Sequence, residues 1–125
     1  MITQRIHEQN AVLGAALGGT QARHDAILNN LTNVDTPRFT ARRVEFESAL
    51  ASAVDHWRNT GELDLSGTRP ALRQQEGGFA FRMDGNNVDF EREMVALFSN
   101  SVRYEALVNS VLHNSRVLNS VLQGR

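Results

Sequence analysis

Residues 94–122, MVALFSNSVRYEALVNSVLHNSRVLNSVL, decide the fold of this chain. At alternating steps of three and four residues, this stretch carries Met94, Leu97, Tyr104, Val108, Val111, Leu118 and Leu122, with serine at the two remaining positions. An apolar spacing of 3.5 residues is typical of a long α-helix whose seam packs against another helix. The preceding turn offers Asn86 or Asn87 as an N-cap. We therefore predict a C-terminal helix within residues 88–125, which from Val88 to Gln123 would be about 54 Å long at about 1.5 Å per residue.

The N-terminal segment shows the same spacing over residues 6–34. Its aliphatic seam positions include Leu13, Leu17, Ile27 and Leu31. Because proline disfavours helical backbone at the residue before it, Pro37 should end this helix at or before Thr36. The two ends together predict a mainly α fold, in which the long helices of residues 1–36 and 88–125 form an elongated pair with coiled-coil-like seams.

The middle of the chain is less regular. Residues 37–58 predict a turn and a short helix, which we expect from Val44 to Trp57. Residues 59–87 hold five of the nine glycines and two short runs of alternating apolar residues. Such a pattern indicates either a weak β-hairpin or an irregular segment that is disordered in the free chain. The two runs are Leu63/Leu65 and Phe79/Phe81/Met83. We expect all of these segments to form one elongated domain.

The N-terminal helix contains glycines that weaken it. Gly14, Gly18 and Gly19 each cost about 1 kcal/mol relative to alanine in a helix interior, so another element should pack on this segment. A stripe of small residues would allow close approach, and it comprises Ala11, Ala15, Gly18, Ala22 and Ala26. The stripe fits either a helix of the same chain or a helix of a neighbour, and its spacing does not separate the two.

Composition argues against several classes of protein. All thirteen basic residues are arginine, and fourteen acidic residues bring the net charge to −1, so the basic surface that binds nucleic acid or anionic membranes is missing. Without lysine or cysteine, Schiff-base and thiol chemistry are excluded. The histidines are scattered, and the calcium-loop-like start at residues 84–89 lacks required ligands. We expect no catalytic, cofactor-binding or metal-binding residues, no cofactor and no enzyme activity.

No stretch of the sequence predicts a direct membrane span. The longest uncharged stretch near the N-terminus covers residues 9–22. It is shorter than the roughly 20 apolar residues that a spanning helix needs, and it contains several polar residues.

Two stretches resemble a known family. Residues 28–42, LNNLTNVDTPRFTAR, are similar to the N-terminal signature of flagellar rod, hook and related axial proteins. Residues 81–94, FRMDGNNVDFEREM, resemble the C-terminal part of a proximal rod member of that family. The family motif places Asn33, Thr36, Pro37 and Phe39 in its turn. This chain departs from the motif at two positions, since Arg38 replaces the usual glycine and Phe39 the usual tyrosine.

The resemblance implies a structural subunit of the proximal rod of the bacterial flagellar basal body. Its terminal helices would polymerise, through the seam residues given above, into the tubular rod that transmits torque and surrounds the export channel. Expected partners are copies of itself, other rod subunits, and the adaptor and export-gate proteins at the rod base. The resemblance also implies a place in the rod within the periplasmic space, and export by the flagellar type III apparatus without a cleaved signal peptide.

Two alternatives remain at this stage. The chain could be another small rod subunit of the same family, because the N-terminal signature is shared among its members. It could also be a binding protein or chaperone that uses a stable helical hairpin to hold one partner.

Overall fold

The computed structural model describes residues 1–75 and 82–124. The elements in chain order are helix α1 (Ile2–Thr32), strand β1 (Arg42–Glu45), helix α2 (Glu47–Thr60), strand β2 (Ala71–Gln74) and helix α3 (Phe90–Leu122). The predicted mainly α fold is confirmed, because two long terminal helices pack against each other and a short helix and a small sheet lie between them in sequence. None of the helices in these described residues is both long and apolar enough to cross a membrane.

Helices α1 and α3 run antiparallel along most of their length. Three side-chain contacts mark the pairing, and they join Asn30 to Glu93, Thr20 to Asn100, and Asn10 to Asn114. The α3 helix has 33 residues, which gives a length of about 50 Å at about 1.5 Å per residue.

The N-cap of α3 is Asp89, and not Asn86 or Asn87 as the sequence indicated. The Asp89 carboxylate accepts the Arg92 N–H at 3.2 Å. Glu91 and Glu93 lie in the first turn, where negative charge is favoured by the helix dipole. Asn86 and Asn87 instead contact the turn that follows α1.

The small sheet differs from the predicted hairpin. Strand β1 pairs antiparallel with β2, with Val44 opposite Leu72. Leu63 and Leu65 lie in no strand, and Met83 lies in a turn. The remaining residues of the predicted hairpin, Phe79 and Phe81, lie outside the described residues. For the Leu63/Leu65 run the hairpin alternative is therefore wrong, and the run lies in irregular structure.

The predicted start of the middle helix is also wrong. The helix begins at Glu47 because Val44 and Glu45 belong to β1, and Phe46 has an extended φ of −153°. Val44 and Phe46 are buried against Ala26 of α1, which holds the β1–α2 corner on that helix. Burial of alternate residues against α1 favours the strand over another helical turn.

Arg23 of α1 fixes the same corner. Its guanidinium donates to the Val44 carbonyl at 2.9 Å, forms an ion pair with Glu47, and lies 5.0 Å from the centre of the Phe46 ring. The hydrogen bond from Arg23 holds the pKa of the Glu47 carboxyl below its usual range. At the other end of α2, the Trp57 indole N–H donates to Glu8 at 3.0 Å, so α2 lies antiparallel along α1.

The small-residue stripe of α1 is divided between two environments. Ala22 and Ala26 contact the β1–α2 corner, which supports packing within the chain for that part. The neighbouring Gly19 touches the same corner, since a Cβ built there would lie 2.5 Å from the Phe46 ring. At Gly14 and Gly18, by contrast, an added Cβ would meet no atom within 4 Å. Within residues 1–75 and 82–124, no contact therefore requires glycine at these two positions.

This difference predicts opposite effects of the same substitution at adjacent positions. Gly19→Ala should lower the free energy of unfolding by about 1–2 kcal/mol, because overpacking against Phe46 exceeds the gain in helix propensity. Gly18→Ala should raise it by up to about 1 kcal/mol. Urea unfolding followed through the fluorescence of Trp57, the single tryptophan, measures both. A gain in stability for Gly19→Ala would contradict the packing described here.

Candidate functional site

Two segments that are distant in the sequence form one contact site, which we call the motif lock. It joins the turn at residues 33–41 to the segment at residues 82–89. Asn86 lies at its centre and is fully buried. The Asn86 Nδ2 donates to three backbone carbonyls of the turn, those of Asn33 (2.9 Å), Val34 (3.0 Å) and Thr36 (2.8 Å). Its Oδ1 accepts the Val88 N–H at 2.7 Å. One buried amide thus satisfies backbone groups of both segments.

Arg82 adds charged contacts at the outer side of the lock. Its Nη1 donates to the Val34 carbonyl at 2.7 Å and to the Asp35 carboxylate at 3.2 Å. Its Nη2 lies 3.5 Å from the Asp84 carboxylate. Because the Asp35 carboxylate and the Arg82 guanidinium are both well exposed, we attribute only a small stabilisation to this ion pair.

Main-chain hydrogen bonds also connect the two segments. The Arg38 N–H donates to the Asp84 carbonyl at 3.0 Å, and the Asn87 N–H donates to the Phe39 carbonyl at 3.3 Å. The Asn87 side chain accepts the Ala41 N–H at 2.6 Å. The turn after α1 is therefore held along its whole length by the segment that leads into α3.

The structure places the predicted motif residues as follows. Asn33 is half-buried, and its Nδ2 donates to the Asn29 carbonyl at 2.8 Å. The Thr36 hydroxyl donates to the Asn33 Oδ1 at 3.1 Å. Phe39 is half-buried, whereas Pro37 is exposed. The turn thus brings Asn33, Thr36 and Phe39 together, and Pro37 lies at its surface.

Arg38 keeps the backbone conformation that favours glycine. Its φ is +59°, and it is the one non-glycine residue with positive φ among residues 1–75 and 82–124. Gly85 faces it with a φ of +81°, and a Cβ built on Gly85 would lie 3.4 Å from the Arg38 Cγ. A side chain in this conformation is strained. Arginine at this position therefore raises the energy of the turn relative to glycine. The backbone nevertheless keeps the left-handed conformation.

We expect Arg38→Gly to raise the free energy of unfolding by about 1 kcal/mol, because glycine adopts a positive φ without strain. Arg38→Ala serves as the control, since alanine removes the charge and the long side chain but keeps the Cβ. Thermal unfolding of the two variants separates backbone strain from loss of the side chain. An equal gain for both variants would contradict this explanation.

The seam between α1 and α3 contains three polar contacts beside its half-buried aliphatic side chains. The Asn30 Nδ2 donates to Glu93 at 3.1 Å, the Asn100 Nδ2 to the Thr20 carbonyl at 2.9 Å, and the Asn114 Nδ2 to the Asn10 Oδ1 at 3.0 Å. Asn100 lies seven residues after Glu93, and Asn114 lies fourteen residues after Asn100, so the three share one side of α3. Polar pairs of this kind fix the register of two helices at a cost in stability.

The structure places the predicted seam residues in three environments. Ile27 is buried. The half-buried members are Leu13, Leu17, Leu31, Leu97, Val108, Val111 and Leu118. The exposed members are Met94, Tyr104 and Leu122. The side of α3 that faces α1 is therefore centred on Glu93 and Asn100, one position away from the predicted centre. The role of the predicted residues in assembly stays a prediction.

Sequence analysis missed a second buried cluster, in which three elements meet. The Asn30 side chain donates to the Arg42 carbonyl at 2.9 Å and accepts the Arg42 N–H at 2.8 Å, so it pairs with the free edge of β1 as a strand would. Glu93 of α3 is fully buried and accepts from both Asn30 and Arg43. No local pattern in the sequence identifies this cluster, because Glu93 lies 63 positions from Asn30 and 50 from Arg43.

The described residues contain no group of three histidine, cysteine, aspartate or glutamate side chains placed to hold a metal ion. The buried polar groups Asn30, Asn86 and Glu93 all have protein partners. Their contacts hold elements together, and this arrangement indicates a structural role for both clusters.

Comparison with known proteins identifies the family. No protein-family model matches the chain. Over 116 residues, the chain is 29% identical to the flagellar basal body rod protein FlgB of Bacillus subtilis (strain 168), covering 87% of this chain and 88% of the relative. Over 121 residues, it is 32% identical to FlgB of Yersinia enterocolitica, covering 86% and 88%. The chain belongs to the FlgB family of flagellar basal body rod proteins. FlgB of Escherichia coli (strain K12) is 26% identical over 121 residues.

Membership in the FlgB family confirms the resemblance drawn from the two motif segments. In this FlgB-family chain the two segments are parts of one structure, the motif lock, which closes one end of the antiparallel helix pair. The family signature therefore coincides with the contacts that join the end of α1 to the start of α3.

Proposed function

We propose that this chain is a structural subunit of the proximal flagellar rod and polymerises through its terminal helices. The observation that carries the proposal concerns α3. In this 33-residue helix the only fully buried residues are Glu93 and Asn100, which are both polar. Its apolar side chains are half-buried or exposed in the single chain. Because most helical stability comes from burial of an apolar face, α3 needs neighbours to cover it.

The polar seam supports the same proposal. Its hydrogen bonds set the register of α1 and α3, while the apolar side chains of α3 stay half-buried or exposed in the single chain. A helix pair with a fixed register presents defined surfaces to neighbouring subunits. Binding of those neighbours would further stabilise the folded chain. The polymer would form the tube that transmits torque and surrounds the export channel.

The family relationship supports the proposed place and partners of the chain. The relatives are flagellar basal body rod proteins by name, so we propose that this chain lies in the rod, within the periplasmic space. Its proposed neighbours are copies of itself, other rod subunits, and the adaptor and export-gate proteins at the rod base. Export would use the flagellar type III apparatus, and the role would be structural and not catalytic.

Introducing a carboxylate at a predicted seam residue of α1 or α3 tests this function in the bacterium that encodes the chain. Leu31→Asp or Val108→Asp should abolish rod assembly and swimming motility, because a buried carboxylate without a partner opposes helix packing. The chain should still be made and exported. Swimming in soft agar, electron microscopy of purified basal bodies and immunoblotting for the chain measure these outcomes.

Thr32→Asp and Asn109→Asp are matched controls, since each places the same charge one residue away at an exposed position. Both control strains should swim. Normal motility of the Leu31→Asp or Val108→Asp strain, or purified basal bodies that lack the wild-type chain, would refute the proposed function.

A further inference from the structure

The first half of α3 carries an apolar surface that no part of the described chain covers. Five side chains form it: Phe90, Met94, Val95, Phe98 and Val102. At about 100° per residue they lie within roughly 140° of the helix circumference. Each is between 43% and 74% exposed. We call this surface the α3 patch.

The size of the α3 patch matches one side of a protein interface. With these exposed fractions, its apolar area is on the order of 500 Å², which matches the largest apolar patch of a typical monomer, about 300–600 Å² and often functional. One side of a standard interface buries about 800 Å², a little over half of it apolar. The patch is therefore large enough to bind a partner specifically.

Charge disfavours antiparallel pairing of two α3 patches about Phe98. Glu91 and Glu105 lie seven residues before and after Phe98, on the same side of the helix. If two patches packed antiparallel about Phe98, Glu91 of each copy would oppose Glu105 of the other. Arg92 and Arg103 point about 100° or more away from the patch centre and would not relieve this repulsion. The partner surface should therefore lack carboxylates.

A strip of small residues on α1 has the required properties. The α1 strip consists of Ala11, Gly14 and Gly18, which are exposed on one side of α1. It lies within residues 9–22, which carry no charge. A Cβ at Gly14 or Gly18 would meet nothing within 4 Å, so the helix backbone is open to close approach by large side chains.

We propose that the α3 patch of one subunit packs on the α1 strip of a second copy of this chain. The proposal rests on the proposed function and names the surfaces through which copies associate. Because the two surfaces differ, the contact is heterologous and leaves both a free patch and a free strip at the ends of a chain of subunits. Contacts of this type generate open helical assemblies when their rotation does not close a ring.

Cysteine pairs test this contact directly, since the chain contains no cysteine of its own. Gly18→Cys and Val102→Cys subunits are prepared separately, mixed as concentrated full-length protein, and oxidised mildly. A disulfide forms only where the Cα atoms come within about 7 Å. We expect the mixture to yield several-fold more cross-linked dimer than either variant alone. A mixture of Gly18→Cys with Leu112→Cys is the control, since Leu112 is an exposed apolar residue of α3 beyond the patch.

The outcomes are distinct. Preferential cross-linking of a Phe98→Cys subunit with itself would show symmetric pairing about Phe98 and overturn the proposal, as would a Gly18–Val102 yield no higher than that of the control mixture. The same pair is then oxidised in basal bodies that contain the chain. If the chain is present there but the pair does not cross-link, the contact is wrong and the proposed function stands. If the chain is absent from basal bodies, the proposed function fails, whatever the purified mixture shows.

A second pair of variants checks the result without cysteine. Phe98→Ser should weaken self-association of the purified chain several-fold in sedimentation velocity, whereas Leu112→Ser should leave it unchanged. Equal effects of the two variants would overturn the assignment of the α3 patch.

Discussion

Asn86→Ala is expected to lower the free energy of unfolding by about 3 kcal/mol, a large effect for a side chain with no charge. The substitution removes a fully buried amide that donates to three carbonyls and accepts one N–H. Each buried polar group left without its partner costs about 1–3 kcal/mol. The three carbonyls each keep another donor, so the main loss comes from the Val88 N–H and from the cavity.

Two further variants show whether the hydrogen bonds carry this effect. Asn86→Asp has nearly the same shape but replaces the donor with a carboxylate that faces carbonyl oxygens, so it should be at least as unstable as Asn86→Ala. Asn109→Ala is the control, because Asn109 is exposed on α3. Urea denaturation measures all three. A loss for Asn86→Ala within about 0.5 kcal/mol of that for Asn109→Ala, the usual range for surface positions, would contradict the central place of Asn86 in the motif lock.

The long helices could be predicted from the sequence, whereas the side of α3 that faces α1 could not. Apolar periodicity locates the apolar side of a helix, and in most globular proteins that side is buried. In α3 the buried positions are Glu93 and Asn100, while Phe98 is exposed. Because the polar residues have partners on α1 that are 63 and 80 positions away, no local pattern identifies them as buried.

The middle segment was less predictable because its contacts are not local. Strand β1 has four residues, and its pairing partner β2 lies beyond a complete helix. The other edge of β1 is paired by the Asn30 side chain, which has no signature in a single sequence. Asn86 is of a residue type favoured at helix N-caps and lies shortly before α3. Its side chain instead donates to carbonyls of a turn that lies about fifty residues earlier in the chain. The two motif segments could be found, but the sequence gives no indication that they touch.

Arg43→Ala is expected to cost about 3 kcal/mol or more, because it leaves the buried carboxylate of Glu93 without its counterion. Glu93 is fully buried, whereas Arg43 is partly exposed. Removal of one partner of a buried ion pair typically costs 3–5 kcal/mol, since the remaining charge is neither solvated nor paired. Asn30 would still donate one hydrogen bond to Glu93, which places the expected loss at the lower end of that range.

Arg73→Ala provides a matched control within the same sheet. Arg73 lies directly opposite Arg43 in the register of β1 and β2, and its partner Glu45 is exposed, as Arg73 itself is. An exposed pair contributes at most about 1 kcal/mol, so the two arginines should differ by about 2 kcal/mol in chemical denaturation. Similar losses in the free energy of unfolding for Arg43→Ala and Arg73→Ala would show that the burial of Glu93 does not determine the effect of Arg43→Ala.

The cause of the Arg43→Ala effect can be tested by adding Glu93→Gln to that variant. Alone, Glu93→Gln should destabilise the chain, since the ion pair with Arg43 is lost. In the Arg43→Ala background it should instead restore at least about 1 kcal/mol, because a neutral amide needs no counterion and can still accept from Asn30. A substitution that harms the wild-type chain and helps the variant is the signature of an unpaired buried charge. Additive losses would mean that Arg43 contributes through packing of its aliphatic stem, and not through its charge.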